Sequence, residues 1–166
     1  MIEVRLAQEN DLERIAKITQ DFEPQTLERY KESFKSQIEQ NSNPESSIFI
    51  FVAIIDNIVV GHGKLFYYSK EKHDVEFKSP EGWYLNGVIV APEFRRKGVA
   101  KALLSFRESF ILEKKGNEVF SIVSVENIPS ISYHTSLGFK EQERAPGYLS
   151  VKLKCGEGIL FYKVLS

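Results

Sequence analysis

A single-domain α/β fold over residues 1–166, with a central mixed β-sheet and helices on both of its faces, is predicted by three features of this sequence. First, strand-like and helix-like periodicities follow one another in the order β-α-α-β-β-β-α-β-α-β-β, the alternation that builds helices onto a sheet. Second, Ile48 to Ile55 is wholly apolar, I-F-I-F-V-A-I-I, as a strand buried on both faces should be. Third, Leu85 to Leu104 reads as an apolar strand, a tight basic turn and a helix without a spacer between them.

The elements follow in order. Ile2, Val4 and Leu6 alternate and predict a first strand. Asn10 with Glu13 three residues on has the capping-box arrangement of a helix start, and Leu12, Ile15, Ala16, Thr19 and Phe22 fall on one helical face. Pro24 ends that helix, and Leu27, Tyr30, Phe34 and Ile38 form the narrow stripe of a second. Asn41 to Ser46 is a polar loop. Ile48 to Ile55 and Ile58 to Tyr68 form a hairpin turned at Asp56-Asn57. Ser69 to Gly82 is charged and aperiodic, which reads as a mobile hairpin tip and, as a second reading, as a gate over a substrate pocket. Val119 to Val125 is another apolar strand. Lys140 to Arg144, the alternating Leu149, Val151 and Leu153, and Ile159 to Leu165 complete the set, with Pro146-Gly147 as a turn.

Composition narrows the function. The formal net charge is −1 and aromatic residues, 12% of the chain, are spread through strands and helices, so neither a basic field nor a basic-aromatic patch for nucleic acid is present. No apolar run approaches the ~20 residues of a membrane helix, and the first residues carry no apolar signal segment. One cysteine, Cys155, rules out an intrachain disulfide. These features point to a cytoplasmic protein. His62, His73 and His134 share no metal-ligand spacing, so no metal is expected. Gly61-His62-Gly63 lacks the third glycine of a dinucleotide site, and neither a P-loop nor a G-x-S-x-G elbow is present.

The chemistry concentrates in the turn after the fourth strand. Arg95, Arg96, Lys97, Gly98, Val99, Ala100 and Lys101 put three successive cations and a helix N-terminus in one place, with small residues where a phosphate must approach the backbone. A strand followed by this turn resembles the acyl-CoA pyrophosphate loop, (Q/R)-x-x-G-x-(G/A), of the GNAT superfamily of N-acyltransferases. About thirty residues later, Asn127 to Phe139 reads N-I-P-S-I-S-Y-H-T-S-L-G-F and looks like that family's later helix. The resemblance extends over the whole chain and is carried by residues 83 to 140.

The resemblance implies the family's sheet and an acetyl-CoA donor. Its phosphates would lie on Arg95 to Lys101 and its pantetheine arm along Val88, Ile89 and Val90, with the N–H of Val88 on the thioester carbonyl. A fixed donor there is worth about 3 to 4 kcal/mol in acyl transfer. Asn127 would meet the arm, as would Ser130, and both also suit a plain helix cap. Where most of the family has Tyr to protonate the leaving thiolate, this chain has His134, which titrates near 6.5 instead of near 10 and so predicts a different pH profile. Tyr133, about 100° around the helix, is expected in the core. Where many members carry a glutamate base, this chain has Asn86, which accepts no proton. Glu81, Tyr84 and Glu157 are the alternatives for a water-mediated base. A subgroup likeness to aminoglycoside-type acetyltransferases implies a small-molecule amine, with a peptide N-terminus or a polyamine also open. A non-catalytic acyl-CoA sensor is the competing reading, and family habit leaves a homodimer possible.

Overall fold

A computed structural model describes all residues, Met1–Ser166. They form two compact units, Met1–Phe66 with Asn86–Phe110 and Tyr67–Leu85 with Ile111–Ser166. The fourth strand, β4 (Gly82–Val90), runs from the second unit into the first. No helix is long and apolar enough to cross a membrane.

In the first unit the strands lie in the order β1 (Glu3–Leu6), β2 (Ile48–Ile55), β3 (Ile58–Tyr68), β4. β1 and β3 pair antiparallel with β2, in registers that include Val4↔Ala53 and Phe51↔Gly63. The β2–β3 turn is Asp56-Asn57, both at positive φ (48° and 63°), as a two-residue hairpin requires. The all-apolar β2 is buried on both sides because its alternation serves two layers. Ile50, Val52 and Ile54 pack with Ile15, Ile18, Phe34 and Ile38 of helices α1 (Leu12–Phe22) and α2 (Leu27–Gln40). Phe49 and Phe51 instead meet Phe110 of helix α3 (Val99–Glu113), with ring centroids 4.8 and 5.2 Å away. Each fully buried side chain of this kind contributes roughly 1.5–3 kcal/mol.

The glycines of G61-H62-G63 let α3 approach the sheet. A Cβ on Gly61 would stand 3.1 Å from the Ile89 carbonyl and from Val99 Cγ1, and one on Gly63 3.2 Å from the guanidinium of Arg107. Between them His62 is 3% exposed and hydrogen-bonds through Nε2 to Thr19 Oγ1 at 2.9 Å. The Thr19 hydroxyl is committed to the Ile15 carbonyl at 2.8 Å, so the histidine nitrogen carries the proton. Burial and the nearby Lys64 hold His62 down to about 3.

In the second unit β4 pairs in parallel with β5 (Glu118–Ser124), and β9 (Gly158–Val164) lies antiparallel between β5 and β6 (Lys140–Ala145). The β6 register shifts between Glu141 and Glu143. Helix α4 (Ile128–Ser136) lies between β5 and β6 in the chain.

Several expectations change. The capping box is made by Gln8 and Asp11, not Asn10 and Glu13, and it closes a 3-10 turn, Glu9–Asp11, that leads into α1: the Gln8 N–H donates to Asp11 Oδ2 at 2.8 Å, and Arg5 pairs with Asp11 at 2.7 Å. Phe22, placed on the apolar face, is 63% exposed because it ends the helix beyond the last buried turn. The alternating Leu149, Val151 and Leu153 do not share one strand: β7 (Gly147–Tyr148) and β8 (Val151–Lys152) form a small hairpin turned at a Leu149 of φ 54°, and Leu153 lies beyond it. The segment from Ser69 to Gly82 is tethered instead of free. Phe77 bridges Leu149, and the buried Ser79 hydroxyl accepts the Leu149 N–H at 2.7 Å.

Candidate active site

The candidate residues fall into two groups, one in each unit. In the first, β4 ends at Val90, and Ala91 donates to the Val60 carbonyl at 2.8 Å. Pro92–Phe94 makes one 3-10 turn, after which Arg95 Nε returns to the Val90 carbonyl at 3.2 Å. Arg96 follows at φ 61° and Gly98 at φ 86°. The left-handed conformation costs a non-glycine residue about 1–2 kcal/mol and persists where the surroundings impose it. Here it turns the chain into α3, whose first intrahelical bond is Ala102 N–H to Gly98 O at 3.0 Å. The N–H groups of Val99, Ala100 and Lys101 precede that bond and have no intrahelical acceptor. Arg95, Arg96, Lys97 and Lys101 are exposed around them, with Lys97 Nζ over the Phe94 ring at 5.3 Å. Gly98 leaves open space, since an added Cβ would meet nothing nearer than Ile2 Cδ1 at 4.0 Å. This is a cationic cradle of backbone donors suited to a diphosphate.

The cradle opens onto a cleft of about 470 Å³ lined by Asp21, Phe22, Val88, Ile89, Val90 and Arg95. Asn86 is exposed on the same strand, one residue before Gly87, whose φ of 77° breaks the strand's alternation. Asp21 carried no signal in the sequence, and Phe22 only its place on the apolar face of the first helix.

In the second unit Asn127 caps α4, its Oδ1 accepting the Ser130 N–H at 3.2 Å. One turn on, His134 faces the sheet. Its ring stacks on Phe161 at 5.4 Å and meets the edge of Phe139 at 5.1 Å. His134 Nδ1 lies 2.7 Å from the Ser130 carbonyl, which only accepts, so Nδ1 carries a proton. Nε2 then takes the Ser121 hydroxyl at 2.8 Å. Ser130 Oγ lies 3.3 Å from Nδ1. Ser121, a buried serine in the otherwise apolar V-F-S-I-V of β5, was not singled out by the sequence. Tyr133, expected in the core, is 41% exposed, because α4 turns His134 inward and leaves its neighbour outside.

Two of the three alternative bases have their side-chain oxygens engaged in hydrogen bonds. Glu81 Oε1 accepts the Lys70 N–H at 2.7 Å and secures a turn. Tyr84 is buried, donates to the Pro80 carbonyl at 2.7 Å, and burial pushes its phenol far above the usual range. Glu157 is exposed and its carbonyl accepts from Val125 at 3.3 Å. The pKa of the Cys155 thiol is lowered from its ordinary value, first by a hydrogen bond with Ser124, whose Oγ lies 3.1 Å from Sγ.

A profile of the Acetyltransferase (GNAT) family matches residues 12–139. The aminoglycoside N(6')-acetyltransferase type 1 of Salmonella typhimurium is 34% identical over 100 residues, 59% of this chain and 66% of that protein. The chain thus spans just under two thirds of the length of that relative. An N-alpha-acetyltransferase of Saccharolobus solfataricus is 28% identical over 148 residues, 87% of this chain and 84% of that one. Among solved structures, a PaiA N-acetyltransferase from Thermoplasma acidophilum in complex with coenzyme A aligns over 99% of both chains with a TM-score of 0.72 at 20% identity.

Proposed function

The chain belongs to the acetyltransferase (GNAT) family, and from that premise we propose that it moves the acetyl group of acetyl-CoA to a primary amine of a small molecule, by direct attack in a ternary complex. One observation carries this reading. The Val88–Val90 strand, Arg95 of the phosphate cradle and the carboxylate of Asp21 line one cleft. Donor phosphates lie on residues 95–101 and the arm follows Val88, Ile89 and Val90. Asp21 attracts the cationic amine, and the exposed Phe22 flanks its carbon skeleton. The reaction takes place in the cytoplasm.

The amine must lose its ammonium proton before it attacks, since only about one molecule in a thousand is neutral at pH 7. Asn86 takes no proton, so solvent beside Asp21 receives it. The nitrogen lone pair then bonds to the acetyl carbon, and the N–H of Val88 meets the oxyanion. Collapse of that adduct breaks the C–S bond. The proton the nitrogen sheds on becoming an amide passes to the departing thiolate, a transfer that the family resemblance assigns to the imidazole of His134; within its own unit that ring is held by Ser121 and the Ser130 carbonyl. Asn127 caps the start of α4 by accepting the Ser130 N–H, and the family resemblance gives these two residues the contact with the arm.

A peptide N-terminus is the second reading. It is favoured by the N-alpha-acetyltransferase relative, which aligns over 87% of the chain. CoA thiol release with aminoglycosides, monoamines, polyamines and short peptides, for wild type and Asp21→Asn, separates the two. We expect release with small amines and, for Asp21→Asn, a KM for the amine raised roughly tenfold at nearly unchanged kcat. Release with peptides alone assigns the second reading, and release with no acceptor overturns both in favour of a sensor.

A further inference from the structure

Arg107 sits in the second half of α3 and is only 3% exposed. A guanidinium taken out of water must find acceptors. Here they are backbone carbonyls. Nη1 donates to Lys64 O of β3 at 2.9 Å and to Gly87 O of β4 at 3.2 Å, and Nε donates to Leu103 O at 3.3 Å. Gly63 supplies the room, since a Cβ there would stand 3.2 Å from Cζ and Nη1. The second glycine of G61-H62-G63, which fits no nucleotide motif, thus serves this arginine.

The Gly87 carbonyl and the Val88 N–H belong to the same peptide unit, and the chain has no cis peptide bond. In a planar trans peptide the two groups point in opposite directions. Whatever holds Gly87 O inward therefore aims the Val88 N–H outward, away from α3. A cation on the carbonyl also polarises the peptide and makes its N–H a stronger donor. Gly87, at φ 77°, gives the strand the freedom to present this peptide so.

We propose that Arg107 is the positioning residue of the donor strand: by holding Gly87 O it sets the direction and strength of the Val88 N–H that receives the acetyl carbonyl. The inference rests on the acetyl-CoA reading above. It makes α3 act twice, with its N-terminus on the phosphates and Arg107 on the acetyl group.

The test compares wild type with Arg107→Met, Arg107→Lys and Gly87→Ala. Gly87→Ala adds a methyl that meets nothing within 4 Å, so it perturbs only the backbone conformation. Turnover, affinity for CoA (which lacks the acetyl carbonyl) and the infrared carbonyl stretch of bound ¹³C-acetyl-CoA are measured for each. Arg107→Met is expected to lose roughly 100-fold in kcat with CoA affinity nearly unchanged, and its carbonyl stretch should move back toward that of free acetyl-CoA. Arg107→Lys, with one cationic donor, should fall between, and it carries the test if the Met variant does not fold. Gly87→Ala should follow Arg107→Met. Equal losses in turnover and CoA affinity, or a carbonyl stretch the same in all four proteins, would overturn the proposal. A wild type that binds no acetyl-CoA overturns the underlying donor reading, whereas wild-type turnover left intact in Arg107→Met overturns the role of Arg107 alone.

Discussion

Replacing His62 with Gln should flatten the acid side of the stability curve. In the unfolded chain this histidine takes a proton near 6.5. In the folded chain burial, with Lys64 nearby, holds it down to about 3. Between those values the unfolded state binds the proton and the folded state does not, so stability is full above 6.5 and is lost as pH falls toward 3. From pH 7 to pH 4.5 the loss assigned to this one residue is about 2.5 kcal/mol, at 1.36 kcal/mol for each pH unit below 6.5. Gln keeps an N–H for Thr19 Oγ1 and has no proton to gain. Urea unfolding followed by Trp83, the one tryptophan and a buried one, reads both proteins across that range. Other titrating groups act equally in the two proteins and cancel in the difference. Wild type should lose about 2.5 kcal/mol more than His62→Gln between pH 7 and 4.5. Parallel curves would refute the reasoning, and with it the neutral Nε2–H histidine that donates to Thr19.

Other consequences follow from the site. Gly98→Val should leave a folded protein, because the position is open, yet reduce acetyl-CoA affinity at least roughly a hundredfold by placing a branched side chain at a φ of 86° in the phosphate cradle; calorimetric titration reads both affinity and stoichiometry, and unchanged binding would remove the cradle assignment. His134→Ala should lower kcat by roughly 10²-fold with little change in donor affinity, while Ser121→Ala, which frees Nε2, should shift the pH profile of kcat; equal losses in kcat and affinity would make His134 a binding residue.

Much of this arrangement is legible in the sequence because local pattern and tertiary role coincide. The run from Ile48 to Ile55 is apolar at every position because α1 and α2 cover one face of β2 and α3 the other. The phosphate turn is legible because its chemistry is local: backbone N–H groups, cations and a glycine within seven residues. Where the pattern is not local, it fails. Arg107 looks like a solvated helix residue until β3 supplies a glycine and a carbonyl for it and β4 a second carbonyl. Ser121 is one hydroxyl in an apolar strand, and its partner lies thirteen residues away. The face of α4 turns on which of two adjacent aromatic-type residues, Tyr133 or His134, points inward, and nine residues with few apolar positions do not fix that. Asp21 and Phe22 gain meaning only when β4 is set beside the end of α1.

In the proposed reaction acetyl-CoA bound at this cradle gives its acetyl group to an amine. CoA release from acetyl-CoA, with and without a small primary amine, measured side by side in wild type and Gly98→Val, tests it most directly. Release by wild type that needs the amine and vanishes in Gly98→Val is the predicted result. Release that is indifferent to the amine, or equal in the two proteins, would contradict it.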